Sequence, residues 1–373
     1  MPRAELRHTG RSLALRLGSG VVMGVTGAIS KAFLYGLNRV QAENLASFLK
    51  LLDQRRSGES QQGLLTGMLG DASSTPSLLE SCLVSNHISI LDDPLVWAVL
   101  PLKYAFDPAN FRWGLGAHDI CFRNKFTSSF FTLGQVLPTY RLLHSPHGGL
   151  FQPTMTESIR LLSAEDPSPP LVPHGTAFTT KAGDTFTSPS GFHSLRNAWI
   201  HVFPEACVHQ HPALALRYFK WGVSRLILEA NPAPQLVPMF IDGTQHIMNE
   251  QRRSPRWLPR IGRTIRVVFG DALDTSRVFG RHRAQWRSLI QKQEEQVRPG
   301  GEYRYPEQLK HGSEAVQLRI EVAEAVRSAV ASLRAASGYS PDDPTFALAR
   351  TWQREPPVRR FQSPVDGSIV HRE

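Results

Sequence analysis

From about Leu79 onward, short β-branched apolar runs alternate with longer amphipathic stretches. That alternation confines the chain to an α/β architecture, a mixed β-sheet flanked by helices. Ser81–Ser85 (SCLVS) is predicted as the first strand of this region, with later strands over 135–141, 198–204, 235–241 and 264–270. Asp93 followed by Pro94 has the form of an N-cap with proline at the first helical position, so a helix is expected to run from there to about Leu100. Further helices are predicted over 153–164, 213–230, 276–297 and 313–336. At 373 residues the chain is long enough for one large domain or two small ones, and no internal repeat is visible.

These patterns divide the chain into four parts. Residues 1–50 form an N-terminal basic, amphipathic segment, and 51–297 the main domain. Within the latter, 165–194 is rich in Pro, Ser, Thr and Gly and is expected to be a flexible insertion. Residues 298–337 read as a helical extension. The Pro-rich, charged stretch 338–373 reads as a disordered tail with no core of its own.

The net charge of +10 and pI near 9.8 favour a phosphate-bearing partner, either nucleic acid or an anionic bilayer. No zinc-finger spacing, basic region with heptads or aromatic RNA-binding signature accompanies that charge, so a membrane surface is the expected partner and nucleic acid is not. The most apolar stretch, 21–37, contains three glycines and Lys31, a composition that suits an interfacial helix better than a spanning one. Its flank carries Arg3, Arg7, Arg11 and Arg16 and is nearly free of acids, which fits a mitochondrial address, a lipid-facing edge or a solvated basic tail. The odd, widely spaced Cys82, Cys121 and Cys207 indicate neither a disulfide scaffold nor a zinc site.

The segment Asn86 to Pro94 (NHISILDDP) carries the most chemistry. It sets His87 at the carboxyl end of a predicted strand and Asp92 five residues on, across a turn tight enough for the carboxylate to reach the imidazole. A histidine so held acts as a general base on a hydroxyl; the alternative is a structural histidine beside two caps. No G-x-S-x-G elbow and no cysteine beside a basic partner offers a separate nucleophile. Arg141 ends a strand, where its planar fork suits a phosphate or merely covers a sheet edge. Phe203, Pro204 and Glu205 end another, where Glu205 is placed to bind a glycerol hydroxyl or pair with Arg141. Pro238 interrupts an apolar run and predicts an edge strand or a bulge facing a pocket. The pairs His144/His147 and His209/His211 lack a convincing zinc spacing, so no metal is expected. Arg217, Lys220 and Arg225 beside Trp221 read either as a head-group contact or as a solvated basic face.

In order, His87 and Asp92, Arg141, Phe203-Pro204-Glu205 and Val237-Pro238 resemble the four motifs of the glycerolipid acyltransferase superfamily. Within it, the blocks SNHISILDDP (85–94), DICF (119–122), FKWG (219–222), RLILE (225–229) and GVVMG (20–24) are similar to the mitochondrial phospholipid–lysophospholipid transacylases. The likeness spans roughly 12–273. Ala206 stands where the family pattern has glycine, which puts the fine positioning of Glu205 in question.

The resemblance implies a single acyltransferase domain needing no cofactor. In it His87 and Asp92 are catalytic, and Asn86, Ser89, Asp93, Arg141, Phe203, Pro204, Glu205 and Pro238 bind substrate. The implied partners are phospholipids and lysophospholipids, namely cardiolipin, monolysocardiolipin and phosphatidylcholine, at mitochondrial membranes facing the intermembrane space. A coenzyme-A-dependent acyltransferase shares all four motifs, and a phospholipase or a catalytically silent lipid-binding protein are further alternatives.

Overall fold

The computed structural model describes residues 13–57, 81–142, 144–146, 148–163, 177–179, 185–187, 199–294 and 307–372. Its strands are β1 (Arg39–Glu43), β2 (Ser81–Ser85), β3 (Arg112–Ala117), β4 (Val136–Thr139), β5 (Ala177–Thr179), β6 (Thr185–Thr187), β7 (Trp199–Val202), β8 (Val208–Gln210), β9 (Gln235–Asp242), β10 (Thr264–Phe269), β11 (Arg360–Gln362) and β12 (Ile369–His371). The helices are α1 (Leu13–Leu37), α2 (Leu45–Ser57), α3 (Asp92–Trp97), α4 (Leu102–Ala105), α5 (His118–Cys121), α6 (Lys125–Leu133), α7 (Pro153–Leu161), α8 (Gly222–Glu229), α9 (Thr244–Ile247), α10 (Thr275–Glu294), α11 (Glu307–His311) and α12 (Ser313–Ala336).

Seven strands form the main sheet in the order β1-β10-β9-β2-β7-β3-β4. From β9 to β4 every neighbouring pair is parallel, while β10 runs antiparallel to β9 and parallel to β1. Side chains alternate across a strand, so a sheet covered on both faces needs apolar residues at successive positions. β2 meets that demand: Cys82 and Val84 join one buried cluster and Leu83 the other. Helices α7, α8, α10 and α12 cover the first face, and α1, α2 and α3 the second. The carboxyl ends of the five parallel strands therefore converge on one edge, where loops are free to carry chemistry.

Several expectations change. The predicted helix over 213–230 is helical only in α8, because the carbonyls of Ala213, Leu214, Leu216 and Arg217 accept hydrogen bonds from Arg334 and Arg327 of α12. Arg217 and Arg225 do not form a lipid-facing row, since each is buried against a glutamate, Glu355 and Glu229 respectively. Pro238 marks no edge. β9 lies inside the sheet; the Pro238 carbonyl accepts from Gly270 just beyond the end of β10, and pairing resumes one residue out of register at the Leu236–Leu273 bridge, so the missing N–H falls at a bulge in the ladder. In the expected insertion, β5 and β6 pair antiparallel. The remainder of it lies outside the described residues.

The expected helical extension and disordered tail are both part of the folded body. Leu318, Val322, Val326 and Val330 of α12 are buried against the sheet side of α8 and α10. Beyond it, two 3-10 turns lead into β11 and β12, which add to β8 as a three-stranded antiparallel sheet. This segment holds few apolar residues and is fixed by charge instead: Asp342 meets Arg327 and Arg334, Glu355 meets Arg217 and Arg372, and Asp366 meets His209. Trp352 supplies a large buried apolar anchor, its ring 4.0 Å from the Arg217 guanidinium.

Helix α1 is long and apolar enough to cross a membrane over Leu15–Leu37, yet it lies along the domain. Its glycines allow the close approach: a Cβ at Gly24 would fall on the Phe106 ring, and one at Gly27 would sit 2.9 Å from the Ala105 Cβ. Lys31 turns inward and donates to the carbonyls of Ala98 and Leu100, both at 3.0 Å, so its charge caps the end of the α3 segment. The opposite face exposes Leu17, Val21, Val25 and Ile29 at four-residue spacing, next to Phe126 and Phe130 of α6, which packs against α1. Gly27→Val should push α1 off α4 and cost about 1–3 kcal/mol of stability, read from urea denaturation; an unchanged midpoint would show that this contact does not seat the helix.

Candidate active site

The parallel strand β2 ends at Ser85, and the next residue anchors the turn. Asn86 donates from Nδ2 to the Ile241 carbonyl and accepts at Oδ1 from the Ile241 N–H, each at 2.8 Å, so its amide completes the ladder toward β9. That places His87 at the carboxyl edge. Its Nδ1 lies 2.8 Å from Asp92 Oδ2, and the same oxygen accepts from the backbone N–H of Ile88 at 2.7 Å and of Ser89 at 2.8 Å. Asp92 Oδ1 accepts from Thr244 Oγ1 at 2.5 Å. Every neighbour of this fully buried carboxylate is a donor, so Nδ1 carries the proton and donates to it. Nε2 lies on the far side of the ring, and the imidazole is 18% exposed.

The turn after β7 supports the same histidine from the other side. Phe203 stacks on the imidazole at 4.2 Å, and Glu205 Oε1 accepts from the His87 N–H at 3.1 Å while Oε2 accepts from the Arg217 N–H. The Pro204 carbonyl accepts from Lys220. Glu205 therefore does not pair with Arg141; it is 2% exposed and bridges backbone segments. Asn86, Ser89 and Pro238 are all buried; the Asn86 amide is taken up by Ile241 of β9, and Ser89 Oγ accepts from the Leu91 N–H within the turn. Asp93 is turned to Arg112 and Trp97, with His201 3.8 Å away. Burial pushes its pKa up, but Arg112 and His201 outweigh that and hold it at about 2.

Arg141 follows β4 at the same edge. Its fork grips Asp119 through Nε at 2.9 Å and through Nη2, and Nη1 donates to the Arg372 carbonyl at 3.0 Å. Burial alone would raise the Asp119 carboxyl, but Arg141 holds it below its ordinary value. A guanidinium has five N–H groups, and among the described residues three of them are engaged. Of the thiols, Cys82 and Cys207 are buried, which lifts their pKa values to about 12 and about 11 and removes them as nucleophiles. Among the described residues no group of three or more potential metal ligands occurs, and His147 lies outside them.

Two contributors were not legible beforehand. Thr244 has no motif to mark it. His209, considered only as half of a metal pair, is buried between Asp366 Oδ2 at 2.8 Å and Glu205 Oε2 at 3.4 Å. It does not turn to His211, whose Nδ1 instead accepts from the N–H groups of Ala213 and Ala215.

A histidine held by a buried carboxylate at the carboxyl edge of a largely parallel sheet is compatible with an acyltransferase, and the relatives of the chain place it in that class. No protein-family profile matches the chain. It is 36% identical over 339 residues to the tafazzin of Saccharomyces cerevisiae, an alignment covering 88% of this chain and 81% of that protein. It is 31% identical over 203 residues to the taffazin of Dictyostelium discoideum, covering 53% and 56% of the two chains. Over 193 residues it is 30% identical to the N-acylphosphatidylethanolamine synthase of Arabidopsis thaliana, covering 51% and 55%. The chain belongs to the tafazzin family.

Ala206, in the position of the family glycine, has φ of +53°, the left-handed region in which a Cβ costs roughly 1–2 kcal/mol. Ala206→Gly should therefore raise stability by about 1 kcal/mol, seen as a higher melting temperature; a fall would show that the methyl group makes contacts worth more than the strain.

The His209 cluster gives a pH dependence. Burial disfavours the imidazolium, but Asp366 and Glu205 outweigh it, so the folded-state pKa lies above the ordinary 6.5. A raised pKa means that the stabilisation is complete below about 6.5 and fades as pH climbs through the folded value. The stability deficit of Asp366→Asn should thus be largest at pH below the ordinary imidazole range and narrow as pH rises above it, measured by urea denaturation at each pH. A deficit that widens with pH contradicts this assignment.

Proposed function

We propose that the chain transfers acyl groups between phospholipids and lysophospholipids without coenzyme A, with His87 as general base. The observation that carries this reading is the 2.8 Å contact of His87 Nδ1 with Asp92, which fixes the tautomer and turns basic Nε2 away from the carboxylate. Nε2 takes the proton from the hydroxyl of a lysophospholipid as that oxygen attacks an ester carbonyl of the donor lipid. Asp92 stabilises the imidazolium that results. The ester C–O bond to the donor glycerol then breaks, and the proton returns to the departing alkoxide. One ester is exchanged for another, so the reaction is nearly balanced in energy and calls for no cofactor. Arg141, with two N–H groups beyond those engaged, is placed to hold a head-group phosphate.

The exposed apolar stripe of α1, with Phe126 and Phe130 beside it, supports monotopic contact with a bilayer. Cardiolipin and monolysocardiolipin are the substrate pair in this reading, in mitochondrial membranes on the intermembrane-space side, as the family resemblance suggests. A second reading rests on the Arabidopsis relative, whose name points to acylation of an amine: the acceptor here would then be the amino group of phosphatidylethanolamine.

Purified protein given acyl-labelled phosphatidylcholine and monolysocardiolipin, with no coenzyme A, should move label onto the lysolipid. Transfer seen only from an acyl-coenzyme A donor would replace this reading with a thioester-dependent one. With phosphatidylethanolamine supplied as acceptor in place of the lysolipid, label on its nitrogen would favour the second reading, and fatty-acid release independent of acceptor would mean a phospholipase. In the same assay His87→Ala should abolish transfer, and Asp92→Asn should lower it by about 10²–10⁴-fold with the fold retained. Near-normal turnover of either variant would remove the proposed roles.

A further inference from the structure

The loop between α9 and β10 carries Arg252, Arg253, Arg256, Arg260 and Arg263 within twelve residues, interleaved with Trp257, Leu258 and Ile261. Its apolar side chains point to solvent: Trp257 is 77% exposed, Ile261 57% and Leu258 42%. A tryptophan this exposed gains nothing in water and is the residue type favoured where a protein meets the head-group layer. The arginines bond mainly to the loop's own carbonyls: Arg252 to Asn249 and Arg256, Arg256 to Glu250 and Arg252, Arg260 to Arg253. These contacts fix the loop's shape and leave its positive charge in place. The nearest acid, Glu250, is buried, stands 3.9 Å from Arg252, and is shared with Arg360 and His371. Partial burial and then the neighbouring Arg256, Arg360 and Arg260 push the Arg252 pKa below its ordinary value, a sign that like charges are crowded together.

The loop is also continuous with the apolar face of α1. The Gly262 N–H donates to the Leu37 carbonyl at 2.8 Å, and Arg263 N–H donates to Asn38 Oδ1 at 3.0 Å, so the loop abuts the C-terminal end of that helix. Because β10 runs antiparallel to β9, its first residues lie at the edge where β9 ends, the edge that carries His87 and Thr244.

We infer that residues 252–263 form an anionic-lipid contact, in which the arginines meet head-group phosphates of a bilayer and Trp257, Leu258 and Ile261 enter its interface. The contact extends the membrane face proposed for α1 and adds to it a preference for negatively charged lipid. It rests on that face, not on the identity of the reaction, and binding is measured apart from transfer.

Co-sedimentation of the full chain with vesicles of phosphatidylcholine, and of phosphatidylcholine containing about 30% phosphatidylglycerol, tests this at low and high salt. Wild-type protein should bind the anionic vesicles more tightly, and high salt should erase the difference. Arg253 and Arg263 make no side-chain hydrogen bonds within the described loop, so Arg253→Gln with Arg263→Gln spares its shape. That double variant should lose about 10- to 30-fold in binding to anionic vesicles and nothing on neutral ones. Arg253→Lys with Arg263→Lys should keep the preference, and Trp257→Ala should weaken binding to both vesicle types. Equal binding of wild-type protein to both vesicle types, or a Gln variant that keeps the preference, overturns the inference. Failure to bind any vesicle overturns it together with the α1 face. Salt-sensitive binding to duplex DNA with no gain on anionic vesicles overturns it in favour of nucleic acid.

Discussion

The Asp92 carboxylate is the contact on which the site turns. It is fully buried, and an ionised group in that position is tolerable only when its lone pairs are filled. Two backbone N–H groups, an imidazole N–H and a hydroxyl fill them. Those donors come from the turn after β2 and from the first residue of α9, so one side chain ties the end of the central strand to the loop beyond β9. Its tautomeric hold on His87 follows from the same saturation: with only donors around the carboxylate, the histidine has one way to face it.

Around that centre the remaining motif residues work by fixing backbone rather than by reaching outward. Asn86 closes the ladder to β9. Glu205 ties the His87 N–H to the Arg217 N–H, and Phe203 lies flat beneath the ring. For the proposed role of His87 as base, a main chain held from several directions matters, because about an ångström of drift removes near-attack geometry. Glu205 is in turn backed by His209 and Asp366, so the turn between β11 and β12 reaches the centre through a line of buried charged side chains. The tail that sequence composition presents as coreless is thereby part of the support for the catalytic edge.

What was legible in the sequence depended on the range of the interaction involved. Strand β2 and helix α12 have the bounds read from the sequence, because buried β-branched runs and long amphipathic periods are local signals. Strands β1, β3 and β8 were missed: RVQAE alternates polar residues at a half-exposed edge, RWGLGA holds two glycines, and VHQ is three residues long. The irregular stretch before α8 could not be foreseen, since its carbonyls are claimed by arginines more than a hundred residues away. The same applies to Arg217 with Glu355 and His209 with Asp366. Charged residues look solvated in one dimension, and only the fold shows which of them are partners. The spacing of His87 and Asp92 was legible because the turn that joins them is five residues long.

The distribution of unpartnered surface bears on how a lipid would meet this edge. A soluble substrate could approach His87 from any open direction, whereas a phospholipid must leave a bilayer with its chains still shielded. Helix α1, held by its glycines and by Lys31 inside, turns its remaining apolar face outward, and its C-terminal end meets the arginine loop on the active edge. A protein resting on that combined surface would set His87, the base proposed above, at the level where glycerol esters lie. The chains then need not cross water, because the donor and acceptor remain largely in the membrane while only their ester region is drawn to the base. An exchange between two lipids requires both to be available together, and a bilayer supplies them at a local concentration that no free solution of lysolipid matches.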